Sequence, residues 1–325
     1  MQRISSNDAI QTNHIKASEL NTHPYFIYIN SDLVNSFFKD TQVQTETTKR
    51  TYKTGINQFV SFIGKENSQP RYDDVLNFIE HLKQEQKAPS TIQTYTVAVR
   101  LFFKWAENSR LYPNIARDVK GVRVNSKAHR GAYLTSDEAQ AVLKNIDTET
   151  IAGLRNYAMI GLMLTAGLRT IEVSRAKVND IATLGNAKVL YIQRKGHQEK
   201  DSYIKIASVV YEAIMIYLKE RNIKDTNKPL FASLSNNNKG GYITTRTIRG
   251  IVKQAYRDAG IANDALSAHS TRHTSATLNL LNGGTLEETQ QLLGHANIET
   301  TMIYAHHLKR INNNSEERIS NAIFN

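Results

Sequence analysis

The chain has 325 residues, and its 41 lysines and arginines against 30 aspartates and glutamates give a formal net charge of +11. The length predicts about two domains, and the absence of cysteine excludes disulfide scaffolds, thiol catalysis and cysteine-ligated zinc. The longest apolar run, residues 157–168, is shorter than the ~20 residues that span a bilayer. Because residues 1–14 also lack the apolar block of a signal peptide, we expect a soluble, cytoplasmic protein.

Residues 1–30 are polar and are predicted to form a loosely ordered extension, whereas residues 31–112 have a helical pattern throughout. Apolar side chains recur there at steps of three and four residues, as buried helical stripes require. The strong stripes are Tyr52, Ile56, Phe59, Val60 and Ile63; Val75, Ile79 and Leu82; and Ile92, Tyr95, Val99, Phe102, Phe103 and Ala106. Ser90 and Gln93 are interpreted as a capping box behind Pro89. With a weaker stripe near residue 35, the pattern predicts a bundle of about four helices.

Residues 113–131 break the helical pattern and carry an excess of positive charge. Pro113 and Gly121 interrupt the pattern, and five basic residues stand against Asp118 alone: Arg117, Lys120, Arg123, Lys127 and Arg130. Such a segment is typical of a linker that lies along phosphates, so it favours nucleic acid as the partner. Charge alone leaves the alternative open, because basic proteins that never bind DNA have the same balance.

A second domain is predicted from residue 132 to residue 325. It opens with a capping box at Thr135, and helical stripes follow over residues 135–146, 151–165, 208–221, 245–259, 270–282, 286–293 and 298–306. The segments KVLYIQ and DSYIKI alternate around RKGHQEK, which predicts a β-hairpin with Gly196 at its turn. A short amphipathic tail covers residues 315–324. The predicted fold class is therefore mainly α, with an N-terminal helical bundle and a mostly helical second domain that holds a small β-hairpin or sheet.

Four segments of the second domain concentrate side chains suited to a phosphate. They are GLRTIEV with Arg169, the hairpin turn with Lys195, HSTRH with His269 and Arg272, and LGHANIETTMIYAH with His295 and Tyr304. This set contains no cluster of acids, which Mg²⁺-dependent nucleases need for their metal. Cationic donors without a metal fit phosphoryl transfer, with the tyrosine as a plausible side-chain nucleophile.

His269 and His273 have the i, i+4 spacing of a zinc pair, which raises the alternative of a metal site. Arg272 lies between them where zinc proteases have a glutamate, and no nearby carboxylate offers a third ligand. We therefore expect no metal. His269 and Arg272 share a helix face that suits joint contact with a phosphate, and His273 is interpreted as a buried structural histidine.

In sequence and order, GLRTIEV, the RKG hairpin, HSTRH, LGH and the tyrosine nine residues after His295 resemble the catalytic set of the tyrosine recombinases. The resemblance implies a core-DNA-binding domain over residues 31–112, a basic linker over 113–131 and a catalytic domain over 132–325. It also implies double-stranded DNA with a specific site as the partner, and no cofactor. The family further implies a homotetramer on two sites, joined through the C-terminal tail, and an accessory protein remains possible.

The resemblance also implies the roles of the reacting groups. Arg169 and Arg272 would hold the non-bridging oxygens of the scissile phosphate, and Lys195 would protonate the departing 5′-oxygen. Tyr304 would attack and form a 3′-phosphotyrosyl link.

The remaining roles concern residues beside these. His269 would act as general base or proton shuttle, and His295 would support the phosphate and the tyrosine. Glu172, in the GLRxxE pattern, would brace the site. Two departures bear on the lysine: Arg194 stands where the family commonly has glycine, and Lys200 competes with Lys195 for the role.

The sequence thus predicts a site-specific recombinase of the Xer or mobile-element type, acting in integration, excision or dimer resolution. Two alternatives stay open. A type IB topoisomerase-like enzyme uses similar residues as a monomer, although the small bundle and the tail argue against it. The second alternative is a DNA-binding accessory protein whose site is vestigial. The presence of all six expected side chains argues against it, because an unused site would lose some of them by mutation.

Overall fold

The computed structural model describes residues 26–41, 45–64, 69–123, 132–194, 199–311 and 313–324. The chain divides into two compact units, one on either side of the segment 124–131. Nothing long and apolar enough to cross a membrane occurs among the helices of these ranges.

The first unit is a helical bundle, as the stripes predicted. Its four helices are α1 (Ser31–Asp40), α2 (Glu46–Ile63), α3 (Tyr72–Gln84) and α4 (Pro89–Asn108). The stripe residues of α2, α3 and α4 form its core, where aromatic rings meet edge to face. Phe59 contacts Phe78 and Phe103 with ring centroids 5.4 and 5.9 Å apart. Such ring pairs stabilise the core beyond the contribution of the apolar area that each ring buries, so this core holds the bundle together.

The start of α4 differs from the predicted capping box. The helix begins at Pro89, whose missing N–H costs nothing in the first turn, and no side chain caps it. Gln93 instead lies against Gly121, where a Cβ would approach Oε1 within 1.8 Å. The capping box at Ser90 and Gln93 was therefore wrong, because a proline at the first position and a tertiary contact replaced it.

Part of the expected linker packs on the bundle. Ile115, Ala116 and Val119 are buried in the core of the first unit. The hydroxyl of Tyr112 donates to the Pro70 carbonyl at 2.9 Å. Residues 113–119 therefore belong to the bundle in this structure, whereas Lys127 and Arg130 lie outside the described residues, as do residues 1–25.

The second unit is built around one central helix. Its helices are α5 (Ser136–Lys144), α6 (Ile151–Ala166), α7 (Thr170–Arg175), α8 (Ser208–Glu220), α9 (Thr245–Asp258), α10 (Ser270–Leu281), α11 (Leu286–Leu293), α12 (Glu299–Ile311) and α13 (Ser315–Phe324). Helix α6 is apolar on all sides and packs against α8 and α10. The predicted capping box at Thr135 is confirmed, and a second box caps α11 at Thr285.

The sheet of the second unit has three antiparallel strands in the order β1 (Ile181–Leu184), β2 (Ala187–Ile192) and β3 (Ser202–Lys205). The predicted pairing of β2 with β3 is confirmed, with Leu190 opposite Ile204. Its turn at residues 195–198 lies outside the described residues. Strand β1 was not predicted; it joins β2 through a two-residue turn that begins with Gly185 at φ +56°.

Candidate active site

Five of the six predicted residues line one pocket of about 980 Å³ in the second unit: Arg169, His269, Arg272, His295 and Tyr304. The sixth, Lys195, lies outside the described residues. Two further side chains, Arg194 and His273, line the same pocket. The motifs, far apart in sequence, therefore meet at the ends of α6, α11 and β2 and on α10 and α12.

Arg169 is positioned by the helix that follows it. Helix α6 ends at Gly167, whose φ of +60° turns the chain, and Arg169 is the N-cap of α7. The carboxylate of Glu172 accepts hydrogen bonds from the Arg169 backbone N at 2.8 Å and from its Nη1 at 3.0 Å. Because Glu172 is buried, this pair fixes the guanidinium at the pocket wall.

Arg272 is buried and bound to two main-chain carbonyls. Its Nη1 donates to Gly167 O at 2.7 Å and its Nη2 to Leu293 O at 2.6 Å. Burial, followed by the charge of Arg169, lowers its pKa to about 10, so the side chain stays cationic at neutral pH. The bonds tie the ends of α6 and α11 together and hold the charge in one place.

Arg194 is a third guanidinium in the pocket, which the sequence analysis treated only as a departure from the family pattern. Its Nη1 donates to the same Leu293 carbonyl at 2.9 Å and lies 3.9 Å from Glu172 Oε1. Burial lowers its pKa, and the charge of Glu172 opposes that effect. A Cβ on Gly294, whose φ is +60°, would lie 2.2 Å from Arg194 Cζ. A side chain at this position would therefore be strained by the left-handed backbone and would displace the Arg194 guanidinium from its hydrogen bond.

His295 follows this glycine and is neutral at physiological pH. Its Nδ1 is 2.9 Å from the hydroxyl of Thr301, and Gln290 Nε2 donates to its carbonyl at 2.9 Å. Burial, and then the charges of Arg272 and its neighbouring arginines, lowers its pKa to about 4. The ring therefore adds no positive charge to the pocket at neutral pH.

Tyr304 projects from α12 and is 6% exposed. Its Oη is 2.7 Å from Nδ1 of His273 on α10. Burial raises the pKa of Tyr304, and the charges of Arg272 and Arg169 oppose that rise. His273 was interpreted as a buried structural histidine. This was wrong: the ring is half-buried and bonds to the tyrosine, a contact that spans 31 residues of sequence.

His269 lines the pocket, whereas Lys200 is not among the residues that line it. His269 is exposed at the N-terminus of α10, with its ring centroid 4.6 Å from that of His273. The competing lysine, Lys200, is bonded to the carboxylate of Asp180. Within the described ranges, no group of three or more histidines and carboxylates is arranged to hold a metal ion.

Comparisons with known proteins agree with this geometry. Residues 132–310 match the model of the phage integrase family, and residues 33–112 match the model of the phage integrase N-terminal SAM-like domain. Tyrosine recombinase XerD of Listeria monocytogenes is 28% identical over 288 residues, which cover 85% of this chain and 94% of that recombinase.

Two solved structures have the same fold. The XerH site-specific recombinase bound to palindromic difH substrate superposes with a TM-score of 0.68 at 21% identity, over 90% of this chain and 84% of that chain. A lambda integrase tetramer bound to a Holliday junction gives 0.63 at 15% identity, over 84% and 76%. Because one family model alone covers more than half of the chain, the protein belongs to the phage integrase family, the tyrosine recombinases.

Proposed function

We propose that this protein is a site-specific recombinase that cuts and rejoins duplex DNA through a covalent 3′-phosphotyrosyl intermediate on Tyr304. The observation that carries the proposal is a buried tyrosine hydroxyl in one pocket with Arg169, Arg194 and Arg272. Glu172 offsets one of these three charges, so the pocket keeps a positive excess where a phosphate would bind. Family membership and the recombinase activity named for XerD support the same conclusion.

The arginines act on the non-bridging oxygens of the scissile phosphate. Arg272 uses two of its five donors on carbonyls, so the others are available to a ligand without movement of the side chain. A donor that is already fixed when charge develops on the phosphate costs no reorganisation in the transition state. Arg169, held by Glu172, contributes in the same way, and neutral His295 acts as a hydrogen-bonding partner.

Lys195 protonates the 5′-oxygen as it leaves. Support comes from its competitor, because Lys200 is already engaged by Asp180. Tyr304 Oη forms the bond to phosphorus as the bond from phosphorus to the 5′-oxygen breaks. The new phosphodiester has the energy of the old one, so neither ATP nor a metal is needed to rejoin strands.

The helical unit provides a second basic surface for DNA. Arg100, Lys104 and Arg117 line a groove of about 460 Å³ along α4, where Arg117 also pairs with Glu107 at 2.6 Å. Basic side chains in such a groove suit contact with the phosphate backbone, which sets affinity and register. The function therefore uses both units, and we place it in the cytoplasm, where the DNA of a bacterial cell lies.

The C-terminal helix α13 supports assembly into a tetramer. Ile319, Ile323 and Phe324 are 59, 67 and 82% exposed, so this helix has an apolar face that its own chain leaves uncovered. Insertion into a neighbouring protomer would bury that face and link active sites on two DNA sites. The lambda integrase tetramer on a Holliday junction gives a precedent for such an assembly.

The test is a trapping experiment on selected DNA. A site is first selected from a randomised duplex pool by binding to the Tyr304→Phe variant, and is then built into a nicked suicide duplex. We expect a protein–DNA adduct resistant to SDS with the wild type and none with Tyr304→Phe. Tyr203→Phe, which changes another tyrosine of the pocket, is the matched control and keeps the adduct.

The same experiment separates the alternatives. A DNA-binding accessory protein gives binding without an adduct, and this result would overturn the proposal. A topoisomerase-like enzyme gives an adduct without bringing two sites together, whereas a recombinase joins strands between two labelled duplexes.

A further inference from the structure

The nucleophile is hydrogen-bonded to His273, a histidine to which the sequence assigned no catalytic role. Its Nδ1 lies 2.7 Å from Tyr304 Oη, and its ring also contacts the exposed ring of His269, with the two ring centroids 4.6 Å apart. We propose that His273 accepts the phenolic proton of Tyr304 when the tyrosine attacks. This inference rests on the proposed function and deepens it, because it assigns a further catalytic residue to the same site.

The fold holds His273 in place through its neighbour. Arg272 precedes it on α10 and is fixed by the carbonyls of Gly167 and Leu293. One residue further along the helix, the imidazole faces α12 and meets Tyr304, with ring centroids 5.5 Å apart. The phosphate-binding guanidinium and the proton acceptor are thus carried by consecutive residues of one rigid helix, as proton transfer in a defined geometry requires.

The other histidines of the pocket are less suited to this step. His295 has its Nδ1 engaged by Thr301, and the surrounding arginines and burial lower its pKa to about 4, which makes it a weak acceptor. His269 is exposed at the N-terminus of α10. It is placed to pass the proton on from His273, since the two rings are in contact.

The step balances as follows. With its proton on Nε2, the neutral His273 accepts the hydrogen bond from Tyr304 through Nδ1. The Oη–H bond breaks and the proton moves to Nδ1, Oη forms a bond to phosphorus, and the bond from phosphorus to the 5′-oxygen breaks. The 5′-oxygen takes its proton from Lys195 in the proposed function. In the rejoining step His273 returns its proton to the departing tyrosine.

The test compares His273→Asn with His273→Ala on the nicked suicide duplex. Asparagine places a hydrogen-bonding amide near the position of Nδ1 but cannot take up a proton, whereas alanine removes both properties. We expect both variants to form the adduct at least about 100-fold more slowly than the wild type, because general bases contribute 10²- to 10⁴-fold. Added imidazole should restore part of the rate in His273→Ala and none in Tyr304→Phe.

His306→Ala, which changes an exposed histidine of α12 that does not line the pocket, is the matched control, and we expect it to keep the wild-type rate. Duplex binding and thermal unfolding of each variant show that the changes act on the reaction rather than on folding. An adduct rate in His273→Asn within threefold of the wild type would overturn the inference and leave Tyr304 as a nucleophile that His273 only positions. If the wild type itself forms no adduct, the proposed function fails instead, so the two failures are distinct.

Discussion

The two units of this protein treat polar side chains in opposite ways. Among the described residues of the helical unit, Thr96 alone is a buried polar side chain, and it donates to a carbonyl of its own helix. The second unit buries charges: Glu172, Arg194 and Arg272 lie together beneath the pocket. The first unit is therefore held by apolar area, and the second carries in its interior the groups that are proposed to react.

The difference shows what a buried charge requires. Each buried guanidinium of the second unit has carbonyl or carboxylate acceptors, as Arg155 has in Ala232 O at 3.0 Å. Buried ions are tolerated when they are paired and hydrogen-bonded, and removal of one partner leaves the other uncompensated. Substitutions in the two units should consequently destabilise the protein for different physical reasons, and each should affect the unit in which it lies.

The largest effect is expected in the aromatic core of the helical unit. Phe103→Ala removes a fully buried ring that contacts Phe59, and should lower the free energy of unfolding of this unit by about 4 kcal/mol. The single tryptophan, Trp105, lies in the same core, so its fluorescence during urea unfolding reports this unit. Phe62→Ala, at a half-exposed ring, serves as the control, and an equal loss there would contradict the explanation by burial.

A smaller effect with a different cause is expected at Glu172. Glu172→Gln keeps an acceptor for Arg169 but removes the negative charge between Arg169 and Arg194, and should cost the second unit about 3 kcal/mol. Far-ultraviolet circular dichroism should shift while the Trp105 transition stays in place. Glu149→Gln, at an exposed carboxylate, should shift neither signal, and a shift of the Trp105 transition by Glu172→Gln would show that the units do not respond separately.

The smallest effect concerns pH. The folded protein lowers the pKa of His295 to about 4, below its ordinary value of about 6.5, so folding favours the neutral ring. The resulting stability is complete above pH ~6.5 and is lost as pH falls toward 4. The stability advantage of the wild type over His295→Asn should therefore shrink by about 2 kcal/mol between neutral and acidic pH. The free energy of unfolding is measured for both proteins by urea titration at each pH. The same dependence on pH in both would refute a buried neutral histidine.

Most helices could be predicted from the sequence because their stripes and caps are local. The box at Thr135 depends on residues three positions apart, and the structure has it as predicted. Strand β1 and the short helix α7 were missed, since four and six residues give too little periodicity. The two-residue turn at Gly185 was the signal for β1. At Pro89 the local prediction failed because the helix begins one residue earlier than Ser90, with Ala88 as its N-cap and the proline at its first position.

The order of the motifs predicted the site residues, five of which line one pocket. The contacts between these residues could not be predicted from the sequence. The bond between His273 and Tyr304 and the shared acceptor of Arg194 and Arg272 join segments 31 and 99 residues apart in sequence. No periodicity encodes such pairs. The pattern at HSTRH indicated a phosphate or metal function for its side chains, but which histidine meets the tyrosine depends on how α10 packs on α12.

The contact between Arg194 and Gly294 limits how the site can change over evolutionary time. While the guanidinium stays in place, a side chain at position 294 would overlap it, so Arg194 would have to move. A smaller residue at position 194 would remove this overlap and leave position 294 limited only by its left-handed backbone. Asparagine is the easiest replacement, because it tolerates a left-handed backbone better than other side chains do. The two positions are therefore coupled, and a change at either one alters which residues the other accepts.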